Sequence, residues 1–243
     1  MGASLKWVDK VVQDEKPDVL VLPEMWTTAF ALPELKDIAD VNGEPTTTFL
    51  KDLAKTYQVN IIGGSIANKK DDSIYNTSLV VDRQGNIVYQ YDKIHLVPML
   101  DEHKYLAGGK EKVKTFELEG VKMGVIICYD LRFPELARKL ALDGAKVLHI
   151  VAEWPNTRKE HWKNLQIARA IENQMYVVSS NIVGTYNNEE FAGTSMIIDP
   201  WGSPLKTGSE DTEETLIADI KIDSVSKIRN DVPIFSSRVP ELY

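Results

Sequence analysis

Three short runs, Val19–Leu22, Lys146–Val151 and Met175–Ser179, are apolar without alternation. A strand with one wet face alternates apolar and polar residues, so a strand that does not alternate needs cover on both sides. Buried strands of this kind require crossover connections, and amphipathic segments lie between them. Leu5, Val8, Val11 and Val12 mark a first helix, and Phe49, Leu50, Leu53 and Ala54 lie on one side of a second over Thr46–Tyr57. Leu136, Ala137, Leu140 and Ala141 give the apolar face of a helix opened by Pro134, and residues 158–173 form another. The pattern also predicts strands at 59–66 and near 175–181, 193–198 and 215–220. A hairpin joins Ser73–Val81 to Ile87–Tyr91 through Asp82-Arg83-Gln84-Gly85-Asn86, and a Glu119-Gly120 turn precedes the run that ends at Cys128. The fold class is α/β.

The 243 residues, 43% of them hydrophobic, suffice for one sizeable core, and no linker, repeat or low-complexity tract divides them; residues 1–243 are read as a single domain. Lys and Arg number 28 against 36 Asp and Glu, a net charge of −8 that opposes nonspecific binding to nucleic acid or an anionic membrane. No apolar run approaches the ~20 residues of a membrane span. A lone cysteine and the lack of a basic-then-apolar start point to the reducing cytosol. The partner expected is a small molecule. Asn76-Thr77-Ser78 matches a glycosylation acceptor, which in a cytosolic strand is a chance match.

Cys128 is that lone cysteine, at the end of Gly124-Val125-Ile126-Ile127-Cys128, where a strand gives way to a loop. It can form no internal disulfide, so it is either an inert packed thiol or a reactive one. Two other strand-like runs end in chemistry: residues 18–23 are followed by Glu24, and residues 87–92 by Lys93. A thiol, a carboxylate and an ammonium therefore each stand just past a predicted strand, the set a thiol hydrolase needs. Singly, Glu24 also reads as a helix-start acid and Lys93 as a solvated surface residue.

The stretches LPEMWTTAF, YDKIHL and GVIICYDLRFPEL resemble the three signature blocks of the nitrilase, or carbon–nitrogen hydrolase, superfamily. The similarity continues through HWKNLQIARAIENQMYV, FAGTSMIIDPWGSPL, EETLIADI and IRNDVPIFSSRVPELY, which are similar to the ω-amidase branch; it covers about residue 5 to Tyr243. It implies a nitrilase-like α-β-β-α sandwich, two sheets back to back with helices outside. Members open with a strand carrying an apolar run and a glutamine. This chain opens inside the first helix, so the sandwich is expected to lack the usual first strand.

The resemblance puts the catalytic set on Glu24, Lys93 and Cys128. Cys128 would attack the amide, Glu24 would take the thiol proton and return it to ammonia, and Lys93 would stabilise the oxyanion, with the backbone N–H of Tyr129 as second donor. A second family glutamate precedes a Leu-x-x-Gly stretch; Glu102, before Leu106-Ala107-Gly108-Gly109, fits it, and Asp101 competes. Arg132, four residues past Cys128, can grip a substrate carboxylate; the alternative is a structural pair with Asp130 or Glu135. Trp26, Tyr75, Phe133 and Trp154 either line a pocket or belong to the core. Glu153 sits where some ω-amidases have no acid.

The expected activity is cleavage of the side-chain amide of small dicarboxylic acid monoamides, of the 2-oxoglutaramate or 2-oxosuccinamate type. Deaminated glutathione, N-carbamoyl amines and a catalytically silent binding relative are the alternatives. No cofactor is expected. A metal site built from His95, Asp101 and His103 lacks a compact zinc motif. A homodimer is expected, with Val232, Pro233, Ile234, Phe235 and Val239 of the carboxy-terminal tail as apolar surface to be covered.

Overall fold

The computed structural model describes residues 2–242, with side chains from Trp7 onward; the Leu5 side chain, expected on the apolar face of the first helix, and the end of the tail at Tyr243 lie outside what is described. One sheet is built from β1 (Val19–Val21), β2 (Asp40–Val41), β3 (Asn60–Lys70), β4 (Ser73–Val81) and β5 (Ile87–Asp92), ordered β1-β3-β4-β5 with β2 also on β3. The second runs β13-β12-β9-β8-β7-β6 and uses β6 (Phe116–Leu118), β7 (Val121–Ile127), β8 (Val147–Ala152), β9 (Tyr176–Asn181), β12 (Met196–Ile198) and β13 (Pro204–Thr207). β10 (Thr185–Tyr186) and β11 (Glu189–Glu190) form a separate ribbon. The helices are α1 (Gly2–Glu15), α2 (Leu35–Ile38), α3 (Thr46–Tyr57), α4 (Pro134–Leu142), α5 (Lys159–Asn173) and α6 (Ile222–Asp231).

Alternation within β3 and β4 explains the layering. Ile61, Leu79 and Val81 pack with Val8 and Val12 of α1 and Leu50, Leu53 and Ala54 of α3. Their neighbours Ile62 and Val80 join Val125, Ile127, Val147 and Val151 of the second sheet. The sheets thus meet face to face, with helices on the outside. The non-alternating runs predicted as doubly covered are β1, β8 and β9; β7, β8 and β9 pair in parallel, as such burial requires.

Cys128 stands just past its strand, as expected: β7 ends at Ile127, and Cys128, with a φ of +48°, opens a 3-10 turn, Cys128–Arg132. Two other expectations change. The strand expected from 193 starts only at Met196, after Gly193 and Thr194, which both take positive φ. Residues 215–220 are in no sheet: their backbone finds no partner strand among the described residues, and without a ladder an extended segment is not a strand. They and the unpaired edge of β1 line one groove of about 1260 Å³.

Candidate active site

Glu24 follows β1 on a backbone pressed against β3. At Gly64 (φ +61°) a Cβ would lie 1.9 Å from the Pro23 carbonyl oxygen, so only glycine permits the approach. The Ser65 N–H donates to that carbonyl at 3.1 Å, and Ser65 Oγ accepts from the Met25 N–H, also at 3.1 Å. Lys93 follows β5; its N–H donates to Asn76 O and its carbonyl accepts from Gly109 N–H, both at 2.8 Å. A Cβ on Gly109 would meet Asp92 O at 2.2 Å, so this contact too excludes a side chain.

The structure brings Glu24, Lys93, Glu102 and Cys128 together, all buried. Lys93 Nζ donates to Glu24 Oε1 at 3.0 Å and to Glu102 Oε1 at 2.8 Å, and lies 5.9 Å from the Phe30 ring centroid. Glu102 Oε2 accepts the Val97 N–H at 2.6 Å. Asp101 is exposed and pairs with Lys104, so of the two adjacent acids only Glu102 touches Lys93. Glu24 Oε1 also accepts from Asn76 Nδ2 and Oε2 from the Glu153 N–H, both at 2.8 Å. The Cys128 thiol is hydrogen-bonded to Glu24.

These contacts fix the charge states. Burial acts against the Lys93 ammonium, but the carboxylates of Glu24 and Glu102 outweigh it and hold the amine well above its ordinary range. Burial pushes Glu102 up, opposed by Lys93. The thiol of Cys128 is pushed well up, first by burial and then by Glu24, with Lys93 only partly offsetting them. The resting sulfur is therefore a thiol, and its proton has to leave as it attacks; the hydrogen-bonded Glu24 carboxylate is in reach of that proton.

The turn carrying Cys128 is held by Asp130. Its carboxylate accepts from Tyr91 O–H at 2.7 Å, from His95 N–H at 3.1 Å and from Ile127 N–H at 3.2 Å, and lies 2.8 Å from His95 Nδ1. His95 in turn stacks on Phe133. The Tyr129 N–H sits in the first turn of the 3-10 segment, where amides have no partner within the turn. His95, Asp101 and His103 do not converge: among the described residues no three His, Cys, Asp or Glu are placed to hold a metal ion.

Arg132 pairs with neither Asp130, which is committed to Tyr91 and His95, nor Glu135. Its guanidinium lies 4.7 Å from the Trp154 ring centroid and 5.6 Å from that of Tyr129, and Nη1 is 3.2 Å from His161 Nδ1. Trp154 thus belongs to this cluster. Tyr75 does not: Asn76, next to it on β4, faces Glu24, so Tyr75 points to the other face, where Lys70 lies 5.3 Å from its ring. Trp26 donates to Gly63 O and packs on Phe49, away from the cluster.

Asn76, Asp130, His95 and the Glu153 N–H are absent from the set expected from sequence. Nothing local singles out Asn76, which stands in the polar run Asn76-Thr77-Ser78 of β4. Glu153 itself carries a buried carboxyl with Oε2 unpartnered, and burial pushes it up to about 9. It lines the large groove, which Cys128, Lys93 and Glu102 do not.

The carbon-nitrogen hydrolase family model matches residues 3–230. A hydrolase in the agr operon of Staphylococcus lugdunensis is 47% identical over 96% of this chain and its own full length. A 2-oxoglutaramate amidase of Bacillus subtilis (strain 168) is 45% identical over 95% of this chain and 88% of its own. In fold, the chain superposes on a carbon-nitrogen hydrolase from Helicobacter pylori G27 with a TM-score of 0.92 at 23% identity, covering 100% of this chain and 90% of that one. By sequence along nearly its whole length, this chain belongs to the carbon-nitrogen hydrolase, or nitrilase, superfamily and is an enzyme of that class.

Proposed function

We propose that the protein is an amidase that cleaves the side-chain amide of short 2-oxo dicarboxylic acid monoamides, 2-oxoglutaramate or 2-oxosuccinamate. The observation that carries the reading is Arg132: a guanidinium close to the nucleophile, stacked on two aromatic rings, with no carboxylate partner among the described residues. A partly buried arginine of this kind suits an anionic substrate, because its N–H fork matches a carboxylate. The 45% identity to a 2-oxoglutaramate amidase supports the same choice.

The Cys128 sulfur attacks the amide carbon while its proton passes to Glu24. The carbonyl oxygen becomes an oxyanion, stabilised by Lys93 Nζ and the Tyr129 N–H. As the C–N bond breaks, Glu24 returns the proton to nitrogen and ammonia departs, leaving a thioester on Cys128. Glu24 then deprotonates a water that attacks the thioester. Glu102 holds Lys93 in place through both half-reactions and steers the water. Collapse of the second intermediate releases the free acid and restores the thiol.

The test is ammonia release from 2-oxo monoamides, N-carbamoyl amines and neutral amides by wild type and Arg132→Lys. The variant keeps the charge and loses the fork, so kcat/KM on acidic amides falls by more than it does on neutral ones. Equal falls on both classes would refute carboxylate recognition by Arg132.

A further inference from the structure

We propose that Arg158 and His161 complete, with Arg132, the subsite that holds the substrate's carboxylate: Arg158 as a second cation, and His161 as a positioning residue that aims Arg132. This rests on the preceding reading that the substrate is acidic.

Arginine has donors only, so in the 3.2 Å contact the Arg132 Nη1–H donates and His161 Nδ1 accepts, which places the imidazole proton on Nε2. The rings of Trp154 and Tyr129 occupy the face of the guanidinium, and His161 takes one N–H from its edge. The N–H groups left on that edge can still receive a carboxylate through two parallel bonds.

Arg158 ends the turn Asn156–Arg158 that leads into α5. Trp154 Nε1–H donates to its carbonyl at 2.9 Å, so the turn carrying Arg158 is tied to the same indole that carries Arg132. After burial and a favourable contribution from Tyr129, the like charge of Arg158 is among the influences on Arg132, and it disfavours the guanidinium. Among the described residues Arg158 has no acidic partner, whereas Lys159 and Lys163 just beyond it are both tied to Glu210. Two cations without a counter-ion are thus placed around one indole, Arg132 over its ring and Arg158 through its own backbone carbonyl, and an anion between them relieves their repulsion.

The chemistry of the ligand follows. Both guanidiniums only donate, so the group beside the carboxylate should accept. A 2-oxo oxygen does so; the N–H beside the carboxylate of an N-carbamoyl amino acid is a donor and gains nothing there.

The experiment measures kcat and KM of the full chain on 2-oxoglutaramate and on pentanamide, for wild type, Arg132→Lys, Arg158→Gln, His161→Leu and His161→Asn. Arg158→Gln and His161→Leu should each lower the acidic-to-neutral ratio of kcat/KM at least tenfold, through KM more than kcat. His161→Asn, whose side-chain oxygen can stand where Nδ1 does, should recover most of the loss. Binding of 2-oxoglutarate to Cys128→Ala should weaken in parallel when Arg158→Gln is added, a readout independent of turnover. Ratios within twofold of wild type for Arg158→Gln and His161→Leu, or equal losses in the two His161 variants, overturn the proposal. If Arg132→Lys shifts the ratio and the other two do not, only this inference falls; if Arg132→Lys leaves it unchanged, the acidic-substrate reading falls first.

Discussion

The backbone N–H of Glu153 donates to Glu24 Oε2 at 2.8 Å, a contact between residues 129 positions apart. Glu24 follows the edge strand of one sheet and Glu153 the central β8 of the other, so the carboxylate is assembled where the two layers meet. Three donors hold it: Asn76 and Lys93 on Oε1, Glu153 on Oε2. A carboxylate fixed from three directions meets the thiol of Cys128 in one orientation, which is what proton transfer during attack demands.

Cys128→Ala and Cys128→Ser should abolish ammonia release with the far-UV circular dichroism of wild type. Glu24→Gln should slow acyl-enzyme formation by ~10²–10⁴, the range for lost general acid–base catalysis. A Cys128→Ala enzyme with near-normal turnover would remove the thiol from the chemistry, and unaltered burst kinetics in Glu24→Gln would remove the base.

Lys93 is the buried cation among three buried acids, Glu24, Glu102 and Glu153. Lys93→Met should lower stability by about 3–5 kcal/mol, the cost of stranding buried charge. Adding Glu24→Gln and Glu102→Gln should recover much of that loss while activity stays absent. Urea unfolding of the single and triple variants measures both; a single variant as stable as wild type would contradict the pairing.

Glu153 makes stability depend on pH. Its folded pKa, pushed up to about 9 by burial, exceeds the ordinary 4.5, so between these values the folded state holds a proton that the unfolded chain has released. Stability should therefore be fullest below about 4.5 and fall toward pH 9, by up to about 1.4 kcal/mol per unit. Glu153→Gln should flatten that slope. His149, buried and driven down to about 3, acts in the opposite sense: its contribution is lost as pH falls from 6.5 toward 3. Urea midpoints at pH 5, 7 and 8.5 test Glu153; parallel slopes in wild type and Glu153→Gln would show that it does not titrate in this window.

A homodimer is the assembly we expect. Val232 and Val239 of the tail are exposed, whereas Phe235 is flanked by Arg138 and Arg229, 5.3 and 4.9 Å from its ring. Light scattering at micromolar concentration should give twice the chain mass, and Val232→Asp should shift it toward the monomer. A monomer at that concentration would refute the expectation.

The parts of the site legible in sequence are those just past strand-like runs. Glu24, Lys93 and Cys128 each hold such a place, and it is their position in the three resembled blocks that gives them catalytic roles. Asn76 and Asp130 carry no such mark, because what they do depends on which strand lies alongside, and pairing is a long-range property that local pattern does not encode. The same limit explains residues 215–220, whose composition suits a strand but whose backbone meets none, and Tyr75, whose facing depends on strand register. Arg132 was ambiguous for a different reason: both acids offered as partners lie close in sequence, yet Asp130 is spoken for by Tyr91 and His95.

Gly64 has no functional group, yet the position of the base depends on it. With the Pro23 carbonyl only 1.9 Å from where a Cβ would stand, even alanine there must push the following residue out of line with the thiol. A mutational scan scored by turnover would rank position 64 beside Glu24, while a scan of substrate contacts would overlook it. For anyone reshaping this enzyme toward other amides, the backbone seam between β1 and β3 is the region to leave untouched, and the aromatic and basic residues around Arg132 are the ones to vary.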